Sequence, residues 1–358
     1  MRLLFIILTH LTLILACSRV LYYNHRQDEE DMITIGRSVD FVQDSTLAFW
    51  VFPRGLKRTG GVDDPFRWTS TYASTTAVMF DQMFVEGINE RGLSASALFL
   101  GSDSYGPDEK SVPGMSSGIW MQYFLDTFET VGDIYNEICP RNGKEDWFEI
   151  VREAPVDGVE TKIHLAMSDL TGDSLIMEYV KEGKLKCYHS KDYTVVAGDT
   201  YHMSRDRDRG KIWEEVKNRK MSNWPKPYEK YDRLFFFNHN MRPASDFATA
   251  LGNTMGMIRA VSTPQIFVSP EDIAKKDLWP TQWRMYSDPG QGFVYYEDAA
   301  TPLTFNYNLN DFDLTKNADI RVLRTSEMKW DGETCAGGNI SDCFRALKRG
   351  QIAPFVVD

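Results

Sequence analysis

Two short stretches, Cys17-Ser18-Arg19-Val20-Leu21-Tyr22 and Gly36-Arg37-Ser38-Val39-Asp40-Phe41, decide how this chain folds. The first is largely apolar, the second mixes apolar with polar residues, and the residues between them turn charged at 27–31. The pattern predicts two β-strands around an acidic turn. What precedes Cys17 matters as much. Arg2 supplies a positive start, positions 3–15 a nearly unbroken apolar run, and Ala16 a small residue before Cys17. This is the pattern of a signal peptide over residues 1–16, and it predicts a secreted or periplasmic chain that begins at Cys17. The run is shorter than the ~20 residues of a bilayer-crossing helix. No second run of that length follows, so no stable membrane span is expected.

The chain has 358 residues, of which 42% are hydrophobic and 25% charged, the balance of a globular protein with a substantial core. Acidic residues outnumber basic ones by 51 to 40, giving a formal charge of -11. Nucleic acids and anionic membranes need clustered Lys and Arg, so a small-molecule partner fits better. The five cysteines are Cys17, Cys139, Cys187, Cys335 and Cys343. In an oxidising compartment four can pair and one is left as a thiol. Cys335 and Cys343 bracket a short polar loop suited to a local bridge, and a second bridge between Cys139 and Cys187 is a guess that no spacing supports. The alternative is that some of the four are simply buried small hydrophobes. No spacing matches a zinc site, and no motif asks for a cofactor.

Along the chain, residues 84–100 give a second hairpin signal, with Asn89-Glu90-Arg91-Gly92 as its turn. Between 119 and 134, Trp120, Phe124, Leu125, Phe128 and Val131 recur at helical spacing, which predicts one amphipathic helix. A meander of antiparallel strands is expected at 163–167, 174–180, 184–189 and 193–197. A charged surface excursion follows over 202–230, with a Pro-containing loop at 224–227, before 231–240 returns to the core. The last strand signals are 292–297 and 303–309. With no repeat and no low-complexity linker, residues 17–358 read as one domain.

Cleavage before Cys17 would put a thiol and an α-amine on one residue. In model compounds these groups titrate near ~8.5 and ~7.7–8.0, so the amine can take the thiol proton near neutral pH and later return it to a leaving amine. No histidine is required, and the six present form no dyad or metal spacing. At this point a resemblance becomes specific. A Cys after the processed start followed by a Gly-Arg-x-x-Asp hairpin resembles the choloylglycine hydrolase and penicillin V acylase family, whose members are N-terminal nucleophile hydrolases. It continues through Glu86-Gly87-Ile88-Asn89-Glu90-Arg91-Gly92-Leu93, His164 to Asp169 with Gly172-Asp173-Ser174 and Glu178, Asp232-Arg233, and the strands of 293–309.

The resemblance implies an α+β fold, a four-layer αββα sandwich of two antiparallel sheets between helices. It implies hydrolysis of a linear amide in an N-acyl compound of bile-salt, penicillin V or N-acyl homoserine lactone type, without cofactor or metal, in a homo-oligomer such as a tetramer. Carried over by position, Cys17 is the nucleophile with Arg37, Asp40 and Arg233 around it. Asp40 can hold the α-amine by hydrogen bonding, Arg37 favours thiolate over thiol, and Arg233 stabilises the site or orients substrate. Two positions depart from the family. Its oxyanion-binding Asn is matched by Gly198 or Asp199, depending on a one-residue shift. On the other side Phe99 or Leu100 offers only a backbone N–H. Other readings stay open: Cys17 as a lipid anchor, because Ile14-Leu15-Ala16-Cys17 partly resembles a lipobox; an inactive binding protein of the same fold; or another N-terminal cysteine amidase, dipeptidase or acid-ceramidase-like.

Overall fold

The structure, a computed structural model, describes residues 17–24, 31–41, 47–100, 105, 112–139, 151–152, 161–180, 183–218, 226–265, 279–329, 331, 335, 337–348 and 350–357. The expected signal peptide at 1–16, most of the expected turn at 27–31 and the start of the Pro-containing loop at 224–227 lie outside them. Fifteen strands build the two main sheets. In chain order they begin with β1 (Ser18–Asn24), β2 (Met32–Asp40), β3 (Leu47–Phe52), β4 (Ser74–Met79), β5 (Met83–Asn89) and β6 (Ser94–Phe99). Then come β7 (Ile163–Ser168), β8 (Ser174–Val180), β9 (Lys184–His189) and β10 (Val195–Ala197). The last are β11 (Thr281–Asp288), β12 (Phe293–Asp298), β13 (Thr304–Asn308), β14 (Arg321–Arg324) and β15 (Arg345–Ala346).

One sheet has six strands in the order β10-β1-β2-β11-β12-β13, and the other nine in the order β9-β8-β7-β6-β5-β4-β3-β14-β15. Every neighbouring pair is antiparallel. Helices α1 (Ser117–Thr127) and α2 (Val131–Ile138) cover the nine-stranded sheet. After the short α3 (Tyr201–Arg205) and α4 (Arg209–Lys217), helices α5 (Pro227–Asn240) and α6 (Phe247–Arg259) cover the six-stranded one. The layers are therefore α, β, β, α, the arrangement expected. Among the described residues no helix is long and apolar enough to cross a membrane.

Both sheets are apolar on two faces because each is sandwiched, and strand alternation sorts the side chains. On β3, Phe49 points between the sheets, its ring 5.3 Å from those of Tyr296 and Phe305 and 5.8 Å from that of Tyr307. Its neighbours Trp50 and Phe52 join the other core, with Trp120 and Phe124 of α1. On β1 the alternation is sharper. Arg19 faces the nine-stranded sheet, while the Tyr22 hydroxyl reaches the Arg242 carbonyl beside α6 at 3.1 Å. Gly36 lets α6 lie directly on β2: a Cβ there would stand 2.6 Å from Ile258 Cγ1 and 2.7 Å from Thr254 Cγ2.

Three expectations are corrected. The single helix of 119–134 is broken at Phe128, which is extended, and restarted by Thr130, whose hydroxyl caps α2 by accepting from the Asp133 N–H. Asn89 of the hairpin stabilises the break, its amide donating to the carbonyls of Leu125 and Phe128 at 3.0 and 2.8 Å. The four-strand meander is three strands long, because β10 leaves it to pair with β1 in the other sheet. The charged excursion is partly helical, forming α3 and α4. Cys139 bridges Cys187, tying the end of α2 to β9, and Cys335 bridges Cys343.

Candidate active site

Cys17 stands immediately before β1, 5% exposed and outside both disulfides. β1 is an interior strand: Ser18 pairs with Ser38 of β2 on one side and with Ala197 of β10 on the other. Continuing both registers by one residue sets Cys17 beside Val39 and Gly198. The strand ends on either side thus carry the residues singled out from sequence, Asp40 on one and Gly198-Asp199 on the other.

Asp40 closes β2 and is fully buried. Its Oδ1 accepts from the Thr281 hydroxyl at 2.6 Å, and its Oδ2 accepts a short hydrogen bond from Lys230 Nζ. Lys230 is itself buried on the inner face of α5. The cation that α5 delivers to Asp40 is therefore Lys230. Arg233, one turn later and half-buried, donates from Nη1 to the Ala260 carbonyl at the end of α6, 3.2 Å away. Sequence reasoning named Arg233 and did not weigh Lys230, which lies three residues earlier within one helical turn.

Arg37 and Arg19 are registered partners on β2 and β1, and both are buried between the sheets. Arg37 donates from Nη1 to the Ser38 carbonyl at 3.0 Å and from Nη2 to the Ala97 carbonyl at 2.6 Å, and its Nε lies 3.7 Å from Glu86 Oε2. Arg19 is held by hydroxyls: Nε donates to Ser96 at 2.8 Å, and Nη2 to Ser94 and Ser168 at 3.2 and 3.1 Å. Burial lowers the Arg19 guanidinium to about 10, with Glu86 opposing the change and Arg37 adding to it. Burial raises the Glu86 carboxyl to about 7, against the pull of Arg37, Arg19 and the Ser96 hydroxyl. One carboxylate thus serves two guanidiniums beneath the strand that carries Cys17. Sequence reasoning named Arg37 and missed Arg19 and Glu86, since nothing local shows that three polar side chains on three strands meet.

Glu86 makes stability depend on pH with a definite sign. It binds its proton more tightly folded than unfolded, so its contribution is fully present below pH 4.5 and is lost as pH rises through about 7. Between these limits the wild type should lose about 3 kcal/mol relative to Glu86→Gln, since each tenfold change in proton affinity is worth about 1.4 kcal/mol. Urea unfolding of both proteins at the two ends of that range checks it, and parallel pH profiles would refute it.

On the opposite side, Gly198 is buried and Asp199 half-buried. Burial raises the Asp199 carboxyl above the ordinary carboxylate range, opposed by His164 and Arg207. Phe99 ends β6 and is 5% exposed, its backbone paired with Ile163. Arg207 itself grips buried Asp232 with two donors, Nε to Oδ1 at 2.7 Å and Nη2 to Oδ2 at 2.6 Å, which pins the turn between α3 and α4 onto α5.

Residues 17–223 match the family model of linear amide C-N hydrolases, choloylglycine hydrolase family. The match begins at Cys17 and covers more than half of the chain, so the protein belongs to that family and is an amide hydrolase acting on non-peptide C–N bonds. Its sandwich is the N-terminal nucleophile hydrolase fold. Penicillin V acylase of Pectobacterium atrosepticum is 28% identical over 316 residues, which is 81% of this chain and 80% of that protein. The solved penicillin V acylase of Agrobacterium tumefaciens superimposes with a TM-score of 0.78 at 26% identity, covering 93% of this chain and 98% of its own. A mutant conjugated bile acid hydrolase from Clostridium perfringens shares the fold, with a TM-score of 0.63 at 16% identity over 91% of this chain and 99% of its own.

Proposed function

We propose that export removes residues 1–16 and that Cys17, as the new N-terminus, is the nucleophile of a penicillin V-type acylase. The observation that carries this reading is the setting of Cys17: the unpaired cysteine, buried at the head of an interior strand and flanked by the strand ends that bear Asp40 and Gly198. In the proposed cycle the α-amine takes the thiol proton and sulfur attacks the amide carbonyl carbon. The tetrahedral adduct collapses with cleavage of C–N, and the α-ammonium gives its proton to the departing amine. Water, deprotonated by the same α-amine, then attacks the thioester and releases the acid with regeneration of the thiol.

In this reading Asp40, fixed by Thr281 and Lys230, orients the α-amine. Arg37 contributes positive charge from beneath, and Arg233 acts from further along α5. The oxyanion falls to backbone N–H groups near Gly198, Asp199 and Phe99. A carboxylate at Asp199 would repel that oxyanion, and its burial favours the neutral form.

A penicillin V-type substrate is preferred because the likeness to the two penicillin V acylases, at 28% and 26% identity, exceeds the 16% to the bile acid hydrolase. The test is turnover of penicillin V, a glycine-conjugated bile salt and an N-acyl homoserine lactone, beside an intact mass of the secreted chain. Penicillin V should give the largest kcat/KM, on a chain starting at Cys17. A bile salt cleaved faster would overturn the substrate class, and an acyl adduct on Cys17 would overturn the mechanism.

A further inference from the structure

We propose that Glu178 is a positioning residue for this site: it reaches out of the nine-stranded sheet to clamp residues 195–201 of the other sheet, the segment that flanks Cys17. The inference rests on the reading of Cys17 as nucleophile. The segment needs such a clamp. β10 is an edge strand of three residues, and its ladder with β1 ends at the pair Ser18–Ala197. Beyond it Gly198, Asp199 and Thr200 run to α3 without further strand pairing, and Thr200 provides no side-chain cap for the helix it precedes.

Glu178 supplies what Thr200 does not. It lies on β8, fully buried, and its Oε2 accepts the backbone N–H of Tyr201 at 2.9 Å. Its Oε1 accepts from the Tyr188 hydroxyl at 3.1 Å, and His164 Nδ1 of β7 lies 3.5 Å from Oε2. The rings of Tyr188 and Tyr193 pack on that of Tyr201, each at 5.2 Å between centroids, so the acceptor and the donor are both held. Burial works against charge on the Glu178 carboxyl, yet the nearby His164 ring, the Tyr201 N–H and the Tyr188 hydroxyl outweigh it and hold the group below its ordinary value. A charged acceptor holds an N–H more firmly than a neutral one. Both sheets are thereby locked together at the end where the reacting carbonyl oxygen would sit, and the backbone of Gly198 and Asp199 is fixed on either side by the β1 ladder and this bond, with the Tyr228 backbone holding the Asp199 carboxyl as well.

Glu178→Ala is the test, with wild type and Cys17→Ala alongside. Because a displacement of about 1 Å near the chemistry costs on the order of 10²-fold, kcat should fall ~10–100-fold with KM nearly unchanged. Alkylation of the Cys17 thiol by iodoacetamide should keep its rate. Amide hydrogen exchange across residues 195–201 should quicken by about tenfold or more, a readout independent of turnover. Glu178→Gln, which still offers an oxygen to Tyr201, should recover most of the rate. Where Glu178→Ala does not fold, Glu178→Asp keeps the charge but shortens the reach and should show the same loss. Unchanged exchange in 195–201, unchanged kcat in an active protein, or a Gln variant as impaired as the Ala variant would each overturn the proposal. Cys17→Ala as active as wild type would instead overturn the reading of Cys17, while the exchange measurement still decides the clamp.

Discussion

Cys17→Ala is expected to lose amide turnover by on the order of 10⁵-fold or more while remaining folded, because under the proposed mechanism it removes the covalent nucleophile and with it nearly all the catalysis the companion residues support. The fold should tolerate the change. Cys17 precedes the first paired residue of β1, so every ladder hydrogen bond from Ser18 onward survives. The lost sulfur leaves a small cavity, and a defect of that size costs ~1 kcal/mol or somewhat more. A pre-steady-state experiment is the informative form of the measurement. Wild type mixed with excess substrate should release a burst of the amine product as the thioester accumulates, and Cys17→Ala should release none. Equal slow rates in the two proteins would show that the sulfur does no chemistry.

The second large effect concerns stability. Lys230→Ala should destabilise the chain by about 3–5 kcal/mol, because it takes from the fully buried Asp40 carboxylate the lysine charge that pairs with it and leaves the Thr281 hydroxyl bond behind. Arg233→Ala, at a half-buried position that donates to the Ala260 carbonyl, should cost less, about 1–2 kcal/mol. The two substitutions lie three residues apart on one helix, so the contrast isolates the buried pair from any general effect on α5. Restoring balance supports the same point: Asp40→Asn combined with Lys230→Met should recover part of the loss, whatever becomes of activity. Equal destabilisation by the two single alanine changes would refute the assignment of Lys230 as the partner of Asp40.

The contrast also marks where sequence stops being informative. Cys17, Arg37 and Asp40 could be singled out as candidates because an apolar run, a strand and a hairpin follow one another locally, and the turn at Asn89 was readable for the same reason. Lys230 was not. Both it and Arg233 suit a helix, and only the packing of α5 on the six-stranded sheet decides which one faces Asp40. The Arg19, Arg37 and Glu86 cluster is hidden for a related reason, since its members sit on β1, β2 and β5 in two different sheets. The meander of 163–197 was readable as strands, but the transfer of its last strand to β1 is a tertiary choice without local signature. β3 and β4 are buried on both faces and lack the alternation that identifies a half-exposed strand. In α6, Gly252 and Gly256 weaken the helical signal that Ala250, Thr254, Met257 and Ile258 provide.

The disulfides described above have a practical consequence. With Cys139, Cys187, Cys335 and Cys343 consumed in two bridges, the native chain offers one thiol, that of Cys17, to a thiol-reactive electrophile. Active centres can then be counted: one mole of a thiol-reactive chromophore bound per mole of chain gives the denominator for every rate. Molecules whose nucleophile has been oxidised drop out of that tally and no longer dilute the apparent kcat.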